Sequence, residues 1–151
     1  MTTVGDVDEL EPDGAGPVVM APLTLLRHQA ADALQPADET DPVVLTEIVD
    51  SLTPPALMVM WDDPWLEPGA TRPTMAQCMW RARLRIVCVA WRLEPGSGYD
   101  ELSELVAYTL GRMRDDGYPW TLDRVSAPTQ FDLAGITYLA ATVNYWTETS
   151  I

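Results

Sequence analysis

Hydrophobic and polar positions change their period several times along this chain, and each change marks an element. In "PLTLLRHQAADAL", Pro22 to Leu34, Leu23, Leu26, Ala30 and Leu34 recur at the spacing of one helix face. Pro36 and "ADETD" end that pattern. Asp41 and Pro42 then read as the N-cap and first residue of a second short helix, with Leu45, Ile48, Val49 and Leu52 on one side and Pro54–Pro55 as its stop. "ALMVMW" (56–61) is a continuous apolar run of strand length, as in a strand buried on both faces. The next stretch, "DDPWLEPGATRPT", holds three prolines and one glycine and reads as a long loop.

A period of two follows, from about Ala76 to Leu93. Even positions carry Trp80, Ala82, Leu84, Ile86, Cys88 and Ala90, while odd positions carry Arg81, Arg83, Arg85, Val87, Val89 and Trp91. After the turn "EPGSG" the helical period returns over Tyr99 to Asp116, with Leu102, Leu105, Val106, Thr109, Leu110 and Met113 as its stripe. Ser97 and Asp100 have the spacing of a capping box, and Gly117 with Tyr118 that of a glycine C-terminal cap. Asp115 and Asp116 oppose the helix dipole unless Arg112 and Arg114 offset them. Two extended pieces end the chain, 121–126 and 130–147, divided by Pro128 and rich in Thr, Tyr, Val, Ile and Trp. The predicted order is helix, helix, strand, long loop, strand, helix, strand, strand. This is an α+β single domain: a small, mainly antiparallel sheet with flanking helices.

Composition narrows the picture. At 151 residues and 47% apolar content the chain is one domain with enough material for a core. The net charge of −14 is uneven: residues 1–50 hold eleven acids against Arg27 alone, and the rest is nearly balanced. Residues 1–16 read as a mobile acidic arm ahead of a domain at 17–151. The nine basic residues are all arginine, as a GC-rich genome favours. A pI near 4.1 disfavours general binding to a nucleic-acid backbone. Cys78 and Cys88 are ten residues apart on one strand, about 33 Å, so they do not bond to each other and suit a reducing cytoplasm. No apolar run approaches the length of a membrane span, and the N-terminus is acidic where a signal peptide is basic.

Catalytic chemistry finds little purchase. His28 is the one histidine, which excludes a histidine triad or a multi-histidine metal site within one chain. Asp62 and Asp63 before Pro64 suit a turn better than a catalytic pair. Counted from Asp6, the calcium-loop glycine and glutamate positions hold Glu11 and Pro17. "GSG" before the helix lacks a phosphate loop's lysine and meets Asp100 and Glu101. The expectation is a protein without catalytic residues, cofactor or metal. What remains is the stripe of Arg81, Arg83 and Arg85, spaced about 6.6 Å apart on one strand face. Guanidiniums at that spacing repel, so anions belong beside them. Acids of the same chain, acids of a neighbouring subunit and nucleic-acid phosphate all stand as candidates.

The run from Arg81 to Ser150, with "GYDEL", "GYPWTLDRV" and "FDLAGITYLAATV", resembles the tail terminator proteins of long-tailed (siphovirus-type) actinobacteriophages. The likeness extends over about residues 17–150 and rests on phrases and element order. It implies a structural virion protein at the neck, made in the host cytoplasm, with no enzymatic activity. Members form a homohexameric ring that caps the tail tube, ends its polymerisation and joins the head–tail connector. DNA passes through such a ring without specific binding. On that footing Arg81, Arg83 and Arg85 are expected to meet a neighbour's acids. Trp61 and Trp65, flanking the long loop, are expected to order against an adjacent subunit or the tube. Two other readings are a connector or tail-completion protein of the same neck, and a soluble acidic adaptor binding a host protein.

Overall fold

Alternation along the arginine-bearing strand sorts the molecule into a covered side and an open side. The computed structural model describes residues 22–36, 42–47, 52–69, 79–92, 97–114 and 119–150. Helices α1 (Pro22–Leu34) and α2 (Ser97–Met113) accompany a six-stranded sheet. Its strands are β1 (Val43–Leu45), β2 (Ala56–Pro68), β3 (Met79–Arg92), β4 (Thr121–Val125), β5 (Thr129–Leu133) and β6 (Ile136–Ser150). The order across the sheet is β1-β2-β3-β6-β4, and β5 also pairs with β6. Only β1 and β2 run parallel. The chain is an α+β domain with a mainly antiparallel sheet.

Both helices pack on one face. There Leu84, Ile86, Cys88 and Ala90 of β3 join Leu57 and Val59 of β2 and Leu139, Ala141 and Val143 of β6. Ala30 and Leu34 of α1 and Leu102, Leu105 and Met113 of α2 close over them. The helices also fasten each other. Tyr108 Oη of α2 donates to the Leu34 carbonyl at 2.6 Å, and Arg112 Nη2 donates to the Gln35 carbonyl at 2.5 Å. Two carbonyls at the end of α1, left without helical partners, are thereby satisfied, one of them by a cation at the negative end of the dipole. Arg27 of α1 reaches the Thr46 carbonyl just past β1.

Three expectations are corrected. Residues 43–45 form a strand, not part of a second helix: consecutive β-branched Val43 and Val44 favour extension, and they pair with Ala56 and Leu57. Residues 62–68, expected in a loop, continue β2. The prolines are accommodated because Trp61 pairs with Leu84 and Leu66 with Ala82, so Asp62–Trp65 bulge out opposite Arg83. The expected strand at 130–147 is a hairpin, β5 and β6, joined at Ala134 and Gly135. In addition, α2 begins at Ser97, two residues earlier than expected. The expected acidic arm at 1–16, Cys78, Ile48 and Val49, Asp115 and Asp116, and the Gly117–Tyr118 cap lie outside the described residues.

β4 and β5 lie end to end along the same edge of β6, interrupted at Ser126–Pro128. Ser126 bridges the interruption: its N–H donates to the Thr142 carbonyl at 2.8 Å, and its Oγ accepts from the Thr142 N–H at 2.9 Å.

At the hairpin, Ala134 has φ 52° and Gly135 φ 82°. Two positive values in a two-residue turn match the right-handed twist of the flanking strands. Glycine adopts this freely, whereas alanine loses about 1 kcal/mol. Replacing Ala134 by Asn, which tolerates that conformation, is expected to raise stability by roughly 0.5–1 kcal/mol in urea unfolding, and Ala134→Val to lower it.

Cys88, fully buried, lies 3.6 Å from Thr109 Oγ1, which bonds the Leu105 carbonyl. Burial pushes its thiol from 9.0 up to about 11, against a smaller opposing effect of Thr109. Burial also pushes the Tyr145 phenol up to about 12, with Cys88 adding to the rise and Arg114 opposing it. Both groups favour the fold while neutral, so their contribution is complete below pH 9 and is lost as pH rises through 11 and 12. Denaturant titrations between pH 8 and 12 should show on the order of 2–3 kcal/mol lost to the thiol, and Cys88→Ala should remove that part.

Candidate functional site: the arginine face

The open face of the sheet carries the odd residues of β3 and their cross-strand neighbours. Across from Arg81 stand Glu67 of β2 and Glu148 of β6; Arg83 pairs with Trp146 of β6; across from Arg85 stand Met60 and Asn144. Paired residues share a face, so ladder register alone brings these groups together.

Arg83 is the hub. Its guanidinium hydrogen-bonds Asp123 Oδ2 at 3.1 Å and lies 3.6 Å from Glu67 Oε2 and 3.8 Å from Asp62 Oδ2. The two bulges deliver two of these acids. Asp62 begins the β2 bulge, and Asp123 sits where the β4–β6 register shifts between Leu122 and Arg124. The Asp62 carboxylate is nearly buried and also accepts from Asn144 Nδ2 at 2.8 Å. Its other oxygen accepts the Asp63 N–H at 2.8 Å, which steadies the bulge from within. The turn expected at Asp62 and Asp63 is instead a bulge within the strand, and Asp62 anchors the hub.

Arg81 lies 4.0 Å above the centroid of the Trp146 ring and 4.0 Å from Glu148. This is a cation–π contact with a loose, partly exposed ion pair. Gly69 abuts the same place: a Cβ there would fall 3.0 Å from the Met79 carbonyl oxygen and 3.3 Å from Glu148.

Arg85 differs from both. All three have a buried Nε without a hydrogen-bond partner, but among the described residues the Arg85 guanidinium also has no ion pair or hydrogen bond at its other nitrogens. It borders a groove of about 370 Å³ with Met58, Met60, Val87, Phe131 and Leu133 among its walls. Thr129, Gln130, Asp132 and Thr142 supply polar groups, with Asp132 Oδ1 accepting from Thr137 Oγ1 at 2.7 Å.

The two tryptophans divide. They meet edge to face, centroids 5.7 Å apart, across the bulge. Trp61 packs against the helix-side core, while Trp65 is 46% exposed. Of the five expected contact residues, Arg81, Arg83 and Trp61 therefore find partners within their own chain. Arg85 and Trp65 keep a free surface. Sequence reasoning missed the acidic partners Asp62, Glu67, Asp123 and Glu148, and the groove. Glu67 and Glu148 follow once strand register is known, but the bulges that bring Asp62 and Asp123 had no visible signal.

His28 is exposed on α1, and the described residues include no cluster of three or more His, Cys, Asp or Glu placed to hold a metal. Within the described residues no helix is long and apolar enough to cross a membrane. No family model matches the chain, and no curated protein does either.

Removing the hub cation would leave three carboxylates crowded together, one of them nearly buried. Arg83→Gln is expected to cost about 2–4 kcal/mol in urea unfolding, below the full value for a buried pair because Glu67 and Asp123 reach solvent. Arg81→Gln should cost about 1 kcal/mol or less.

Proposed function

We propose that the protein is a structural subunit of a phage neck, a tail-terminator-like ring component that caps the tail tube and joins it to the head connector. The observation that carries this reading is the one-sided sheet. Helices cover one face, while the other presents an organised charge network, a free arginine and an apolar groove. A catalytic cleft calls for a base, nucleophile or metal set in reach of one another. The open face instead offers Arg, Trp and Met around apolar floor, the residue types favoured where proteins meet. The phrases "GYPWTLDRV" and "FDLAGITYLAATV", which form β4, β5 and much of β6, add the resemblance to tail terminators.

A ring needs two different surfaces on each subunit, and its closure stops further growth. The open face supplies one, with Arg85 and Trp65 as its contact residues; the chain's surplus of acid supplies a complement. In this reading no cofactor is required, the partners are further copies, the tube protein and the connector, and DNA passes without specific contact.

Negative-stain microscopy of the purified protein, alone and mixed with tail tubes, tests the assignment. Rings, or a density capping one end of each tube, are the expected result. A monodisperse monomer that leaves the tubes bare would refute it and favour the connector or the acidic-adaptor reading.

A further inference from the structure

Arg85 is half-buried on the open face without a charge partner among the described residues; Arg124, across Asn144 from it, lacks one too but is exposed. One step along the strand, Arg83 has three carboxylates; Arg81 has Glu148 and the Trp146 ring. Arg85 has Met60 and Asn144 across from it, and Asn144 donates its amide to Asp62. A guanidinium partly withdrawn from water beside an apolar groove is unfavourable until an anion arrives. A carboxylate fits best, because it can take two parallel N–H bonds from the fork. The other walls, Met58, Met60, Val87, Phe131 and Leu133, call for apolar side chains close to that carboxylate. Methionine walls adapt to irregular apolar partners.

The chain contains a segment of that chemistry. Residues 4–11, "VGDVDELE", interleave Val4, Val7 and Leu10 with Asp6, Asp8, Glu9 and Glu11, and carry no cation. We propose that this segment of a second copy occupies the groove, with one carboxylate on Arg85 and its apolar side chains against Met60 and Phe131. The ring reading makes a second copy, and not the same chain, the occupant. Pro22 begins a helix on the covered side of the sheet, whereas the groove opens on the other side. The twelve residues from Leu10 to Pro22 span up to about 40 Å when extended, enough to pass from one subunit to the next. The presence of that second copy rests on the ring reading above; the groove, the free arginine and the matching segment do not.

Two full-length single-site variants test the assignment, both in a Cys78→Ser background, with Cys88 protected by its burial. Differently tagged Gly5→Cys and Thr129→Cys chains are mixed with tail tubes and treated with a short bismaleimide. The expected product is a covalent heterodimer between the two tags. Its yield should fall about tenfold with Arg85→Gln, the loss of one charge-assisted contact. Neutralising Asp6, Asp8 and Glu9 together should lower it similarly. Capped tubes without the heterodimer, or with a yield indifferent to both changes, overturn the groove assignment and leave the ring standing. A third chain carrying both cysteines is treated alongside; cross-linking confined to it overturns the assignment too, since the segment then serves its own subunit. Tubes that remain uncapped sink the ring reading and this inference together.

Discussion

A guanidinium does not enter a protein core without anions, and β3 places three of them on alternate residues of its central strand. That constraint decides which side of the sheet is covered. The helices must lie over Leu84, Ile86 and Cys88, because the other side presents charge at every second residue for half the strand. Once that side is left open, its arginines are in water unless neighbouring strands bring acid. β2 and β4 do so at the cost of regular pairing, each with a bulge that swings an aspartate toward Arg83. These two bulges thus serve the charge network, and the one in β2 absorbs Pro64 as well.

The two ends of the open face follow different rules. Near Arg92, Val87, Val89, Tyr138 and Ala140 form a small second core with Met58 and Leu52, to which neither α1 nor α2 contributes. Toward Met79 the surface is polar and held by Arg83, Arg81 and Trp146. Arg85 stands at the boundary. Val87 next to it on this face is in the apolar cluster, and Arg83 on its other side is held by three carboxylates. A cation at such a boundary is packed enough to be held in place and exposed enough to be reached. Those are the properties of a contact residue in a protein interface, where a few partly desolvated groups dominate the binding energy.

Sequence patterning revealed elements whose period is decided by one side of the chain. α1 and α2 were legible because Ala30, Leu34, Leu102, Leu105 and Met113 all face the same core. β3 was legible from its alternation. Elements misread are those where local chemistry and pairing pull apart. "DDPWLEP" has the composition of a loop, yet it stays paired because a bulge absorbs Pro64. The Ala134–Gly135 turn lacks the Asn or Asp that marks most such hairpins, so 130–147 looked continuous. β1 hid behind a proline that also suits a helix start. For the site, the arginine stripe and its need for anions were visible, while the choice of anion depended on register and bulges. Those arise from contacts between distant segments, which a local pattern does not encode.

The broken edge of the sheet has a further consequence, for behaviour at high concentration. A long, straight outer strand invites another sheet to zip onto it and begin a fibril. Here β4 and β5 offer five residues each, separated by Ser126–Pro128, where Pro128 has no N–H to donate and Ser126 turns its polar groups inward to Thr142. Incoming strands meet two short, offset templates in place of one long one. At high concentration the interrupted edge thereby steers the chain away from amyloid-like stacking.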